Sequence, residues 1–120
     1  MTLYVDGFVL PVPKKNRAQY TRMARLMGKV WREHGALEYR ECIADDVPKG
    51  KLTSFPRALK LKSTEVVWFS YVVCRSHRDH ERVFAKVMKD PRLAKYMNPK
   101  GLPFDGKRAI FGSFKAVVDL

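Results

Sequence analysis

Val66-Val-Trp-Phe-Ser-Tyr-Val-Val-Cys74 decides how the rest of the chain is read. The stretch is dominated by β-branched and aromatic residues and predicts a strand. Alternation puts Val66, Trp68, Ser70, Val72 and Cys74 on one face and Val67, Phe69, Tyr71 and Val73 on the other. Both faces are apolar, so the strand belongs inside a sheet with cover on each side. The run is far shorter than the roughly 20 residues a bilayer crossing requires, which excludes a membrane role for it.

Working outward, Ser76 with Asp79 three residues later predicts a capped helix over residues 77–90. Val83, Phe84, Val87 and Met88 face inward on it, and Asp90-Pro91 ends it. Residues 92–97 predict one more helical turn, residues 98–106 a loop and residues 108–118 the last strand. Upstream, residues 45–64 contain Pro48, Gly50 and Pro56 and form a connection long enough to suggest a functional or mobile loop. Residues 37–44 predict a strand with Leu37, Tyr39, Glu41 and Ile43 on one face. Asn16 with Gln19 predicts the cap of a first helix reaching His34, with Tyr20, Met23, Met27, Val30 and Trp31 as its apolar stripe and Gly35 at its end. Residues 4–12 predict the first strand, with pairing fading at Pro11 and Pro13, which lack a backbone donor. The order βαββαβ predicts one α+β, ferredoxin-like domain over residues 1–120. It is a four-stranded antiparallel sheet with two helices on one face.

Two helices leave the other sheet face open, and that face is apolar. Tyr4, Phe8 and Leu10 oppose Val5 and Val9 in the first strand; Ile110, Phe114 and Ala116 oppose Ala109, Phe111 and Val117 in the last. Covering about 600 Å2 of such surface is worth about 15 kcal/mol before association costs. The natural cover is a second copy, giving a homodimer through the sheet face, a dimeric α+β barrel. The alternative is that the long loop or the C-terminus folds across it.

Composition narrows the class. The 120 residues carry 24 Lys+Arg against 12 Asp+Glu, a net charge of +12, and 46% are apolar. That excludes a disordered chain. Two cysteines cannot make a disulfide framework, and the N-terminus lacks a basic stretch followed by an apolar one, so a cytoplasmic protein is expected. Lys14, Lys15, Arg17, Arg22, Arg25, Lys29 and Arg32 give the first helix a basic outer face, and Arg75, Arg78, Arg82, Lys86, Lys89, Arg92 and Lys95 do the same for the second. At most, weak and non-specific nucleic-acid binding follows. The glycine-containing pattern of an RNA-recognition strand is missing from residues 66–74, and the charge lies away from the open sheet face.

Glu41 falls on an apolar strand face, where a partly buried carboxyl has a raised pKa suited to acid–base chemistry; its alternative is an ion pair with a basic residue. Asp6, inside the first strand, is either a ligand contact or a hydrogen-bonded structural group, or with Gly7 marks a bulge. Tyr4, Phe8, Tyr39, Phe55, Trp68, Tyr71, Phe104 and Phe114 either line an apolar pocket or fill the core. The loops at residues 53–56 and 103–106 are the candidate lids. The ligand-binding set predicted from these residues is Tyr4, Asp6, Glu41, Phe55, Trp68, Phe104 and Asp105, with Arg108 as counter-charge. His77 and His80 are expected on the solvated surface, and Cys42 and Cys74 in the core. Two imidazoles in a helix's first turn, without a third ligand, do not make a metal site. No phosphate loop, dinucleotide fingerprint or Ser-His-Asp order is present, and no cofactor is expected.

Several blocks resemble the YbaA-like family of small bacterial proteins of unknown function (domain of unknown function 1428). They are Tyr4-Val-Asp-Gly-Phe-Val-Leu-Pro-Val-Pro-Lys-Lys15, Gly28-Lys-Val-Trp-Arg-Glu-His-Gly-Ala-Leu-Glu-Tyr39, Thr53-Ser-Phe-Pro56, Lys86-Val-Met-Lys-Asp-Pro-Arg-Leu93 and Pro103-Phe-Asp-Gly-Lys-Arg108. The resemblance spans essentially the whole chain and implies the dimeric α+β barrel superfamily. It implies no catalytic residues. Relatives of that architecture include cofactor-free monooxygenases, haem-degrading enzymes and domains without a known reaction. The favoured expectation is a protein that binds, or modifies, a small apolar or aromatic molecule in a barrel pocket. The competing one is a non-enzymatic interaction domain or a basic domain weakly associated with nucleic acid.

Overall fold

The computed structural model describes residues 2–120. Strands β1 (Tyr4–Pro13), β2 (Glu38–Ile43), β3 (Glu65–Cys74) and β4 (Ile110–Lys115) form one antiparallel sheet in the order β2-β3-β1-β4. Helices α1 (Arg17–His34) and α3 (His77–Lys89) cover one face, and a single turn, α2 (Phe55–Ala58), interrupts the long connection before β3. The domain is ferredoxin-like α+β.

β3 lies between β2 and β1, the central place that the βαββαβ order gives it. Trp68, Ser70, Val72 and Cys74 are buried under the helices, and the register aligns Tyr39 and Glu41 of β2 with Val72 and Ser70. Asp6 and Phe8 of β1 stand on the other side of the same pair. Four polar or aromatic side chains are thus brought around Ser70 by pairing alone. The core falls into two groups: Val30, Trp31, Val72, Val83 and Val87 toward one end, and Leu10, Val12, Tyr20, Met23 and Trp68 toward the other.

The strand through Pro11 and Pro13 differs from expectation. β1 stays paired with β3 as far as Pro13 opposite Glu65. The reason is that β4 stops opposite Val9, so beyond it β1 is an edge. The two prolines, two residues apart, take positions where that edge needs no donor. The Asn16 side chain does not cap α1 either; its Nδ2 donates to the Pro103 carbonyl at 3.0 Å and pins the distant loop. Ser76 does cap α3, accepting from the Asp79 N–H at 3.1 Å. Gly35 ends α1 at φ 124, a left-handed conformation that favours glycine.

On the open face Phe69, Ile110 and Phe114 remain 43%, 42% and 63% exposed. The long connection supplies part of the cover: Phe55 of α2 meets Phe69 edge-on at 6.2 Å. No helix among the described residues is long and apolar enough to cross a membrane.

Candidate functional site

Between the sheet and the two helices lies a cavity of about 220 Å3. Its walls are almost entirely apolar, with Phe8, Trp31, Phe84, Phe104 and Phe111 among the aromatics and Met23, Met27, Met88 and Met97 between them, and it opens to solvent past the exposed side chains of Phe111, Met88 and Met97. Glu41 and Ser70 are the polar exceptions, together with the hydroxyls of Tyr20, Tyr39 and Tyr96. A 150 Å3 apolar cavity holds a benzene-sized ligand, so this volume suits one or two rings.

Glu41 is held without a cation. Tyr20 donates to Oε1 at 2.9 Å and Tyr39 to Oε2 at 2.5 Å, and the Ser70 hydroxyl, opposite Glu41 in the sheet register, adds a smaller lowering influence on its pKa. The expected ion pair is absent among the described residues: Glu41 joins no salt bridge. Burial raises its pKa above the usual carboxylate range, and the three hydroxyls only partly oppose that rise. Tyr20 and Tyr39 are in turn held neutral, first by their burial and then by the negative charge of Glu41. The Tyr39 ring reaches this position because Gly28 has no side chain; a Cβ there would stand 2.6 Å from Tyr39 Cδ1. The result is a carboxyl that can accept an O–H or N–H from a cavity ligand, or take its proton.

A second polar group sits beside the first. Asp6, fully buried in β1, faces His80 Nε2 at 2.7 Å and accepts from the Ser113 hydroxyl at 2.6 Å. His80 is 6% exposed, not on the surface: its ring stacks on Phe84 at 5.8 Å and approaches Trp31 at 6.1 Å. The cap at Ser76 phases α3 so that His80, Val83 and Val87 share its buried side. Tyr4 covers the end of this cluster, stacked on His77 at 4.5 Å. Both His80 nitrogens have carboxylate neighbours, since Nδ1 lies 3.3 Å from Glu81. The group therefore fixes α3 to β1 and supports the cavity wall through Phe84.

Residues 3–106 match the family model described as "Protein of unknown function (DUF1428)". This chain belongs to the DUF1428 family. It is 40% identical over 116 residues to the uncharacterised protein YbaA of Escherichia coli K12, covering 97% of each chain, and equally to YbaA of Shigella flexneri. Among solved structures it is similar to a dimeric ferredoxin-like protein from an uncultured marine organism, with TM-score 0.62 over the whole of both chains at 10% identity. That likeness bears on the fold alone.

Within this DUF1428 fold the sequence-predicted residues separate. Glu41 and Phe104 line the cavity, where Phe104 meets Tyr20 at 5.7 Å. Tyr4 and Asp6 belong to the neighbouring His80 cluster. Trp68 packs edge-on against Tyr20 at 4.7 Å and faces a groove outside the cavity. Phe55 lies on the opposite side of the sheet. Asp105 and Arg108 stand at the far end of β3, where Arg108 is clamped to Glu65, to Asp105 at 2.9 Å and to the Lys60 carbonyl at 3.0 Å. Glu65 and Asp105 are both held below the usual carboxylate range, chiefly by hydrogen bonds from Arg108. Arg108 is thus spent on structure and is not brought to Glu41.

Tyr20, Ser70 and the four methionines are site residues that sequence reading assigned to the core or passed over. Tyr20 carried a usable signal: a phenol on a buried helix stripe needs an acceptor. Its acceptor, however, is 21 positions away. Among the described residues no group of three His, Cys, Asp or Glu side chains is placed to hold a metal ion.

Proposed function

We propose that this chain binds a small aromatic or apolar molecule carrying one O–H or N–H donor, in the cavity beside Glu41. The observation that carries this reading is a half-buried carboxyl set in an apolar wall and held only by neutral hydroxyls. Such a group gains most from a ligand that brings its own donor and excludes water. The chain acts as a homodimer, the open face around Phe69, Ile110 and Phe114 being its interface; an apolar patch of this kind does not ordinarily stay in water. Two unpaired cysteines, Cys74 buried as expected and Cys42 exposed on β2 instead of in the core, suit a reducing cytoplasm.

A thermal-shift screen of one- and two-ring compounds, with and without a phenol or amine, tests the binding. Donor-bearing compounds should raise Tm, and Glu41→Gln should weaken them about tenfold, as loss of a charge-assisted bond does. Compounds that stabilise both proteins equally, or none that stabilise the native chain, would overturn the reading. Light scattering at micromolar concentration tests the assembly. The native chain should show twice 13.9 kDa and Phe114→Lys should show 13.9 kDa. A native monomer refutes the dimer.

A further inference from the structure

Outside the Tyr39–Glu41 wall runs a groove of about 760 Å3, between α1 and the unpaired edge of β2. Arg17, Arg25 and Lys29 line its α1 side. On a helix rising 1.5 Å per residue, Arg25 and Lys29 stand about 6 Å apart along the axis, and Arg17 about 12 Å from Arg25. Ala24 and Thr21 also line the α1 side, and the Tyr39 ring packed over Gly28 closes the groove toward the cavity. Trp68, 5% exposed, lines the groove from β3.

Two observations are left over by everything described so far. The first is the Trp68 indole. Among the described residues, its Nε1–H is the buried side-chain polar atom without a hydrogen-bond partner. Buried donors of this kind are nearly always satisfied, by protein, water or a bound group. The second is the state of the cations. Arg32 is engaged by the carbonyls of Ala36 and Leu37, and Arg40 faces Glu38 at 3.6 Å. Arg17, Arg25 and Lys29 form no ion pair among the described residues. The carboxylates that share the groove are already engaged, Glu38 by Arg40 and Glu41 by the two tyrosines.

We propose that this groove binds a small molecule carrying two or more oxyanion groups. Arg17, Arg25 and Lys29 take the charges; the Trp68 ring lines the groove, and its indole N–H, closed off from solvent and unpartnered, donates to the ligand after a small shift of the ring. A single oxyanion would leave at least one of the three cations unused. Two or more, joined over about 6 Å, match the spacing of Arg25 and Lys29 along α1. Phosphate chains and dicarboxylates share this chemistry. The groove shares the Tyr39–Glu41 wall with the aromatic cavity but relies on other groups, the α1 cations and Trp68, so its test reads out independently of the cavity's.

Indole resonances in a 1H–15N spectrum test the proposal, because the chain has two tryptophans and Trp68→Phe identifies the relevant signal. Tripolyphosphate and glutarate are titrated at constant ionic strength. The Trp68 signal should move and saturate with one or both, and the Trp31 signal should stay. The double variant Arg25→Ala/Lys29→Ala should weaken binding about tenfold or more, as removal of two charge-assisted contacts requires. Lys86→Ala/Lys89→Ala, on the outer side of α3, should leave it within about twofold, since those charges act only at long range. Saturation by tripolyphosphate alone marks a phosphate ligand, and by glutarate alone a carboxylate; either supports the site. A shift that grows linearly without saturating, or an equal loss in the α3 variant, overturns it by showing diffuse attraction to a basic surface.

Discussion

Two glutamates of the same sheet, Glu41 and Glu65, are treated in opposite ways. Glu65 opens β3, where Arg108 grips both its oxygens and the Lys62 N–H donates to Oε1 at 2.8 Å. Its pKa falls, chiefly through Arg108. Glu41 lies in mid-strand with only hydroxyl donors, and its pKa rises through burial. A carboxylate met by a guanidinium is saturated and serves as a clamp. One met by phenols keeps unspent acceptor capacity and a proton within reach. Proximity to aromatics does not separate the two roles; the charge of the partner does.

The largest effect that could break this contrast comes from the clamp. Arg108→Ala strands Glu65 and releases the Leu59 and Lys60 carbonyls, and should cost about 3 kcal/mol in urea denaturation, the scale of a broken buried pair. A cost below about 1 kcal/mol, typical of a surface pair, would make Glu65 no more structural than Glu41. Next is Gly28→Ala, whose methyl would enter the Tyr39 ring. Displacing that ring from Glu41 should cost about 1–3 kcal/mol, as overpacking does. A melting curve unchanged from the native one would mean that Tyr39 is not wedged in place.

The pH dependence sharpens the contrast further. Glu65, with its folded pKa depressed, contributes stability present above its ordinary value of 4.5 and lost as pH falls through the folded value. Glu41, with its folded pKa raised, is disfavoured when charged. The native chain therefore gains stability as pH falls through the folded pKa of Glu41 toward 4.5. Glu41→Gln should remove that gain, so the variant improves relative to the native chain as pH rises from 4.5 through the raised folded pKa of Glu41. An identical pH profile for both proteins would place Glu41 in water. The smallest change is Tyr39→Phe. It removes one hydrogen bond, should cost about 1 kcal/mol, and should raise the Glu41 pKa further, read from its carboxyl 13C shift. A fall in that pKa would contradict the assigned bond.

Much of this architecture was legible because it rests on local periodicity. The two-faced apolar stretch at residues 66–74 requires cover on both faces, the βαββαβ order puts it at the sheet centre, and Glu41 falls by alternation on the helix-covered face. Partnership was not legible. Nothing in the spacing tells which of 24 basic residues reaches which acid, and an ion pair for Glu41 was the natural expectation. The fold sends Arg108 to Glu65 and Asp105 instead, and leaves Glu41 to Tyr20 and Tyr39. Phe55, Asp105 and Arg108 were grouped with the cavity because loop sequence does not reveal the side of the sheet on which a loop closes. His80 was readable after all: it precedes Val83 and Val87 by three and seven positions, the helical repeat of a buried stripe. The polar character of imidazole obscured that repeat.

Four of the chain's five methionines, Met23, Met27, Met88 and Met97, border the same aromatic cavity. An unbranched thioether has three rotatable bonds and a polarizable sulfur, so it conforms to whatever it touches. Walls of this sort give no fixed mould. Selectivity then passes to the rigid element, the Glu41 carboxyl between its two phenols. The cavity should sort its guests by where they carry a donor and be indifferent to their outline.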